Sequence, residues 1–217
     1  MNFENGDLYH IYNQGNNRTR IFFSRENYIF FLGKIKKHIL PHADVLAWCL
    51  MPNHFHLMVY VHSLEIEITE TDEVSGSEGF TRSEAITKNP ITPVIKKRDF
   101  NNSIGILLRS YTRAINEQED KTGSLFRKST HAECLTSIDL HASSFFNTPY
   151  GTKIKQHLPE KEYPQVCFNY IHNNPVKAGL VKHPEDWEFS SYPDYCGVRN
   201  GNLINRNTAE KFGLVIE

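Results

Sequence analysis

The chain has 217 residues, a formal net charge of −1 at pH 7 and four cysteines. At this length a single domain can bury a sizeable core without disulfide support. The cysteines lie far apart, with no Cys-x-x-Cys pair, which argues against a zinc ribbon and a disulfide framework and favours a reducing, cytoplasmic location. The N-terminal segment lacks a signal-peptide pattern and no run approaches about 18 apolar residues, so neither secretion nor membrane spanning is predicted.

The charge is unevenly distributed along the chain. Residues 62–94 hold seven acidic and two basic side chains, a local net charge of −5, and the rest of the chain carries +4. This acidic stretch has little hydrophobic periodicity, which is typical of an exposed insertion. We therefore predict one domain over residues 1–217, with inserted loops at 62–100 and 143–163 and a C-terminal extension at 183–217; the second loop shows no regular pattern. The modestly basic remainder is compatible with binding of nucleic acid.

The hydrophobic pattern predicts an α+β domain whose elements follow the order β-α-β-β-α-β. The predicted strands cover residues 8–13, residues 44–50, a stretch that opens at His54, and residues 128–135. This order is typical of the ferredoxin-like split βαβ fold, an antiparallel sheet with helices on one face. The other face of the sheet is expected to stay open for ligands.

Three helices are predicted from capping residues and apolar spacing. The first begins at Ser24, a good N-cap, and the second is capped by Asn102 or Ser103. A further helix, after the second inserted loop, begins near Pro164, a residue suited to a first helical turn. Pro175 is expected to stop it.

The most informative motif is a pair of histidines within residues 51–59, MPNHFHLMV. Side chains alternate faces along a strand, so His54 and His56 are expected on one side and Phe55 on the other, in a core. Two neutral imidazoles aimed at one point can hold a divalent cation, and a third ligand must then come from elsewhere. A chance His-x-His is the alternative, since the chain has 11 histidines.

The last predicted helix offers a third ligand and a nucleophile. Tyr170 and Asn174 are four residues apart and share a face of that helix. The amide oxygen of Asn174 is a hard ligand that suits Mg²⁺ or Mn²⁺, and Tyr170 would place a phenol beside such an ion. The alternative is that Tyr170 only packs, as a tyrosine on an amphipathic helix usually does.

Three blocks of the sequence together resemble the single-tyrosine HUH transposases, that is, the insertion-sequence-200-like and REP-associated tyrosine transposases. They are residues 9–15 (YHIYNQG), residues 51–59 and residues 170–181 (YIHNNPVKAGLV), and residues 187–192 (WEFSSY) are similar to the family's ending. The histidine block followed by the Asn-Pro-Val-Lys-Ala-Gly block is a more specific signature than His-x-His alone. The resemblance covers most of the chain, although both inserted loops are longer than in compact members.

The resemblance implies a ferredoxin-like sheet with a C-terminal helix that carries the nucleophile, Tyr170. It also implies that His54 and His56 are ligands of Mg²⁺ or Mn²⁺ and that Asn174 stands in the position of a third ligand. The implied activity is transposition by cutting and rejoining single-stranded, hairpin-containing DNA through a 5′-phosphotyrosine. That intermediate conserves bond energy and needs no nucleotide cofactor, which fits the lack of a phosphate-loop motif in the sequence. A site within one chain and a site shared across a homodimer are both compatible with the late position of Tyr170, and a homodimer is favoured.

Six cations are candidate contacts to DNA phosphates. They form three pairs along the chain: Arg18 and Arg20, Arg109 and Arg113, and Arg127 and Lys128. Contacts to phosphates give affinity without sequence choice. Each of them taken singly is also compatible with a solvated surface cation.

Two other functions fit parts of the sequence. One is a non-catalytic ferredoxin-like domain that binds single-stranded nucleic acid on its open sheet face and needs no metal. The other is a metal-dependent phosphodiester hydrolase that combines His54 and His56 with Asp or Glu ligands, and in which Tyr170 packs. The sequence has no Asp or Glu beside the His pair, which ranks the hydrolase below the transposase. A domesticated enzyme, which processes dispersed repeats instead of mobilising its own gene, would have the same sequence features.

Overall fold

The structure, a computed structural model, describes residues 1–69, 95–136, 144–148, 151–155 and 163–216. Its strands are β1 (Leu8–Gln14), β2 (Ala43–Met51), β3 (His54–Val61), β4 (Glu65–Thr69), β5 (Ile95–Asp99), β6 (His131–Cys134), β7 (Ser144–Thr148) and β8 (Gly151–Lys155). Its α-helices are α1 (Arg25–His38), α2 (Phe100–Gln118), α3 (Tyr163–Lys177), α4 (Tyr192–Tyr195) and α5 (Arg206–Lys211). Short 3-10 helices lie at Asn16–Arg18 and Pro184–Asp186.

The central sheet has the strand order β2-β3-β1-β6, and each neighbouring pair is antiparallel. With α1 between β1 and β2 and α2 between β3 and β6, this is the ferredoxin-like topology, so the predicted fold class is confirmed. Strand β3 is an inner strand, and its residue His56 pairs with Tyr12 on one side and Cys49 on the other. Hydrogen bonds along both edges make an inner strand a rigid support for ligands.

Helices α1 and α2 cover one face of the sheet. The core on this side contains Phe31 of α1, Tyr111 of α2, and Phe55 and Leu57 of β3, all nearly fully buried. Burial of an apolar side chain of this size stabilises the fold by roughly 1.5–3 kcal/mol. The Tyr111 hydroxyl donates to the Ile21 carbonyl at 2.8 Å, so its polar group is satisfied as well.

Helix α3 packs on the other face, which was expected to stay open. Cys167, Phe168 and Ile171 of α3 form a second buried cluster there with Cys49 of β2 and Met58 of β3. The expectation was wrong in this respect because the strand residues on this face are apolar too, and burying them is favourable. His54 and His56 lie on this same face of the sheet.

The segment after α3 fastens that helix to the sheet. Nε2 of His172 lies 2.7 Å from Oγ of Ser191, and the same oxygen accepts the N–H of Trp48 in β2 at 2.9 Å. His172 and Ser191 are both buried. The predicted C-terminal extension therefore packs on the domain and helps to hold α3.

Helix α2 begins earlier than the sequence predicted. Asp99 is its N-cap, and Oδ1 of Asp99 accepts the N–H of Asn102 at 2.7 Å. Ser103 is buried inside the helix and lies 2.8 Å from Nε2 of His42. A carboxylate is favoured as the cap because its charge also interacts with the positive end of the helix dipole.

The sequence predicted that helix α3 stops at Pro175. This was wrong, because the helix continues to Lys177. Proline removes the N–H that would bond to the Ile171 carbonyl, yet its fixed φ is close to the helical value. Pro175 is buried, and only one hydrogen bond near the end of the helix is lost. Asn174 is therefore helical, on the same face as Tyr170.

The second inserted loop is not irregular throughout. Strands β7 and β8 form an antiparallel pair between residues 143 and 163, and their Phe, Thr and Ile residues favour strands. Each run is too short for its alternation to be recognised in the sequence. Of the predicted acidic insertion, residues 70–94 lie outside the described residues, and the flanking strands β4 and β5 pair with each other.

All four cysteines are free thiols, and Cys49 and Cys167 are buried. Free thiols are in keeping with a reducing compartment, which stays a prediction. No helix in the described part of the chain combines the length and the apolar character needed to cross a bilayer.

Candidate active site

The two histidines of the motif lie side by side on the face of β3 that α3 covers. Their ring centroids are 5.0 Å apart with an interplanar angle of 86°. Phe55, between them in sequence, packs in the opposite core, as strand alternation predicted. His54 is partly exposed, whereas His56 exposes only 4% of its surface. The pair therefore lies at the boundary between the buried second cluster and the solvent.

His54 is oriented through its Nδ1 atom. That atom lies 2.6 Å from Oδ1 of Asn53, and Nδ2 of the same amide donates to the Arg18 carbonyl at 3.2 Å. The second bond fixes which end of the amide is oxygen, so the atom facing His54 can only accept. Nδ1 of His54 must then carry the proton, which leaves the lone pair on Nε2 for a ligand.

His56 is also engaged through Nδ1, which lies 2.9 Å from Nε2 of His10 in β1. Its other nitrogen, Nε2, is buried and has no hydrogen-bond partner among the described residues. A buried polar atom without a partner costs about 1–3 kcal/mol, and such atoms are rare in folded proteins. A cation at Nε2 would remove that cost.

Tyr170 of α3 lies over His56 and His10, and Asn174 is one turn further along the same helix. The Tyr170 ring centroid is 5.4 Å from that of His56 and 6.1 Å from that of His10, both at nearly perpendicular ring planes. Nδ2 of Asn174 donates to the Tyr170 carbonyl at 2.8 Å. That bond uses the amide nitrogen, and the amide oxygen is the atom that a cation would take.

These side chains could hold a divalent cation. Two imidazole nitrogens come from β3 and one amide oxygen comes from α3, a mixed nitrogen and oxygen set that Mg²⁺ or Mn²⁺ accepts. Within the described ranges no cluster of three or more His, Cys, Asp and Glu side chains could hold a metal. An amide is therefore the natural third donor in this set, and a carboxylate-rich hydrolase site is not found among these residues.

Burial sets the protonation of both kinds of group. It lowers the pKa of His54 to about 4 and that of His56 well below the ordinary value, so both rings are neutral near pH 7, the form that binds metals. Burial raises the pKa of Tyr170, and a hydrogen bond from Asn174 opposes that rise. The Lys177 ammonium, 5.2 Å from the centroid of the Tyr170 ring, adds positive potential on the same side. The phenol of Tyr170 is therefore neutral near pH 7, and positive charge placed close to its oxygen would favour its ionisation.

Buried neutral histidines predict that the metal-free protein loses stability in mild acid. Burial lowers the pKa of His10 to about 3, of His54 to about 4 and of His172 to about 3. In the unfolded chain each ring regains a pKa near 6.5, so the unfolded state binds more protons as the pH falls below that value. We expect the free energy of unfolding to be level above pH 7 and to fall by about 1–2 kcal/mol per such histidine by about pH 5. Urea denaturation followed by circular dichroism at pH 8, 7, 6 and 5 measures this, and a rise in stability toward pH 5 would contradict it.

Sequence reasoning did not single out three residues that surround the site, namely Asn53, His10 and Lys177. Asn53 lies in the turn between β2 and β3, and its contact with His54 depends on the rotamer of both side chains. His10 reaches His56 because β1 pairs with β3 in a particular register, and a single sequence does not define register. Lys177 is seven residues after Tyr170, two helical turns on the same face, a spacing that could have identified it had the helix been predicted to pass Pro175.

The predicted phosphate contacts are divided between two regions. Arg18 lies beside the motif, since its carbonyl accepts a hydrogen bond from the side chain of Asn53. Arg127 lies near it too, because its N–H donates at 2.8 Å to the carbonyl of Gln14, and Gln14 is the strand partner of His54. Arg20 and Lys128 are close to these two residues in sequence, and all four side chains are exposed. Arg109 and Arg113 are exposed on α2, over the opposite face of the sheet, and are not brought to the histidines.

The fold is similar to that of a solved REP-associated tyrosine transposase bound to a REP hairpin. The similarity has a TM-score of 0.53 at 16% sequence identity and covers 94% of this chain and 92% of the other. No protein-family model and no curated protein matches the chain. At this level of identity the likeness establishes a shared fold over almost the whole length of both chains.

Proposed function

We propose that this protein is a metal-dependent DNA strand transferase of the single-tyrosine type, which cuts and rejoins single-stranded DNA through Tyr170. The observation that carries the proposal is the contact between Tyr170 and His56, whose ring centroids are 5.4 Å apart. The Nε2 atom of His56 is buried and has no hydrogen-bond partner in the described residues. A nucleophile and an available metal-binding nitrogen thus lie together, an arrangement suited to metal-assisted attack on a phosphodiester. The shared fold with a tyrosine transposase supports the same assignment.

The reaction is a pair of phosphoryl transfers. Oη of Tyr170 attacks the phosphorus of a DNA phosphodiester and loses its proton to solvent, while the bond from phosphorus to the 3′ oxygen breaks and that oxygen takes up a proton. The products are a 5′-phosphotyrosine and a free 3′ hydroxyl. A 3′ hydroxyl of the same or another strand then attacks the phosphotyrosine, a new phosphodiester forms, and the phenol is released. Each step makes one phosphoester bond and breaks one, so no nucleoside triphosphate is consumed.

The site must lower the cost of ionising the phenol. With an ordinary pKa near 10, a tyrosine is about 0.1% ionised at pH 7, a deficit of about 4 kcal/mol, and burial adds to it for Tyr170. The hydrogen bond from Asn174 and the ammonium of Lys177 both favour the phenolate. A divalent cation bound by His54, His56 and Asn174 would supply further positive charge for the phenolate and the phosphate oxygens.

Single-stranded DNA that contains a hairpin is the proposed substrate. The exposed cations Arg18 and Arg127, on segments that adjoin the histidine strand, and their neighbours Arg20 and Lys128 would bind phosphates next to the cut. Tyr170 and His56 meet within one chain, which supports an active site completed in cis. A homodimer stays a prediction.

The proposal is tested by incubating the protein with single-stranded hairpin oligonucleotides and Mg²⁺ or Mn²⁺, followed by denaturing gels and mass spectrometry. We expect a metal-dependent adduct whose mass is that of the protein plus the 5′-phosphorylated fragment, with the link on Tyr170. Cleavage without an adduct would indicate a hydrolase instead. Binding without cleavage over a broad set of oligonucleotides would indicate a non-catalytic module.

Asn174 provides a prediction with a matched control on the same helix. Replacement of Asn174 with alanine removes the oxygen donor, and we expect Mn²⁺ to bind about tenfold or more weakly, since one of three protein ligands is lost. Asn173 makes the equivalent bond to the main chain, from its Nδ2 to the Asn169 carbonyl at 2.9 Å. Asn173→Ala therefore removes the same kind of helical hydrogen bond and should leave Mn²⁺ affinity, measured by titration calorimetry, unchanged. Equal affinities in the two variants would exclude Asn174 from the metal site.

A further inference from the structure

We infer that His10 is a positioning residue that sets the tautomer of His56, so that Nε2 of His56 presents its lone pair to the metal. This inference rests on the proposed function, because it concerns the metal site of that reaction. His10 is not one of the proposed ligands. It acts on the ligand His56 from the neighbouring strand.

The strand register places the two rings in contact. His10 pairs with Met58 and His56 pairs with Tyr12 in the β1–β3 ladder, which makes the two histidines diagonal neighbours on one face of the sheet. Nε2 of His10 lies 2.9 Å from Nδ1 of His56, and each residue exposes only 4% of its surface. Both rings are therefore held by inner strands, and water does not replace the contact.

One proton is shared by this pair of nitrogens, and its position decides what His56 can do. If Nδ1 of His56 donates a hydrogen bond to His10, Nε2 of His56 has no proton and carries a free lone pair. If His10 donates instead, the proton of neutral His56 must sit on Nε2, where it would be a buried N–H with no acceptor among the described residues. Only the first arrangement allows a cation to bind, and His10 permits it because its Nε2 can accept a hydrogen bond.

The other ligand supports the same logic independently. Nδ1 of His54 faces an obligate acceptor, Oδ1 of Asn53, whose orientation is fixed by the bond to Arg18. Both imidazoles of the motif are therefore engaged at Nδ1, and both have Nε2 left for the ion. An outer hydrogen bond of this kind fixes ring orientation and raises ligand basicity in metal sites generally.

The test compares two variants at position 10. His10→Phe keeps an aromatic ring and removes the acceptor, whereas His10→Gln keeps an acceptor oxygen near the former Nε2 position. We expect Mn²⁺ alone, titrated into DNA-free protein, to bind about 10–100-fold more weakly to His10→Phe and within about threefold of the native affinity to His10→Gln. Long-range proton–nitrogen correlation spectra of the metal-free native protein should show the His56 proton on Nδ1.

The outcomes separate this inference from the proposed function. Native affinity in His10→Phe, equal losses in both variants, or a His56 proton on Nε2 would each overturn the role of His10. If His10→Phe does not fold, the spectra of the native protein and the affinity of His10→Gln decide. His54→Ala and His56→Ala test the metal site itself: native Mn²⁺ affinity in both would refute the site, whereas loss in both with native affinity in His10→Phe would refute only the inference about His10.

Discussion

Replacement of Tyr170 with phenylalanine is expected to abolish the covalent adduct and to lower cleavage of hairpin oligonucleotides by roughly 10³-fold or more. The substitution deletes one oxygen and leaves the ring in its contacts with His56 and His10. Because the ring still packs, the melting temperature should change little. Loss of activity with retained stability would therefore report on chemistry and not on folding. The measurement is single-turnover cleavage, read on a denaturing gel, with the adduct identified by mass spectrometry.

Tyr12 is the matched control for this experiment. It is another partly exposed tyrosine on the same side of the sheet, with its ring centroid 5.9 Å from that of His56. Tyr12→Phe removes an equivalent hydroxyl at a similar distance from the histidines and should keep the adduct. Cleavage by Tyr170→Phe without an adduct would favour the hydrolase alternative. An adduct that forms on Tyr12, or that is lost in Tyr12→Phe, would mean that the assignment of the nucleophile is wrong.

Replacement of His56 with alanine is expected to weaken Mn²⁺ binding by roughly 100-fold or more and to remove cleavage with it, since the more buried of the two proposed imidazole ligands is lost. His54→Ala should act in the same direction. Titration of Mn²⁺ into each variant, followed by cleavage assays at saturating metal, separates loss of affinity from loss of chemistry. The alanine at position 56 also leaves a cavity, so circular dichroism must show that the variant is folded before its affinity is interpreted.

His131 is the control for this second experiment. Its ring stacks on Tyr12 with centroids 5.1 Å apart, on the edge strand β6, and it is exposed. His131→Ala removes an imidazole near the site that has no assigned contact with the ion, and both metal affinity and cleavage should stay near native. A loss in His131→Ala as large as that in His56→Ala would mean that the site includes β6, and the ligand set would have to be redrawn.

The features that depend on short-range periodicity could be predicted from the sequence. Alternation along a strand places His54 and His56 together, and a separation of four residues places Tyr170 and Asn174 on one helical face. The order of strands and helices also follows from local patterns, and the antiparallel sheet confirmed it.

The features that depend on long-range contact could not be predicted in this way. To predict the contact between His10 and His56, one must know the β1–β3 register. To predict that α3 covers the second face of the sheet, one must know that both faces are apolar. The passage of α3 through Pro175 reflects packing of a buried proline, which outweighs a local preference to stop. Each of these is a tertiary effect that overrides or adds to a local rule.

The bond between His172 and Ser191 has a consequence for the order in which the candidate site is assembled during synthesis. The ribosome releases β1 and β3, with both imidazoles, long before it releases the segment that anchors α3 through Ser191 and Trp48. A nascent chain that ends before Ser191 would hold the histidines in a sheet while the helix that bears Tyr170 lacks this anchor. Under the proposed function, a chain that has not yet reached Ser191 would lack a positioned nucleophile, so cutting would wait for synthesis of that segment.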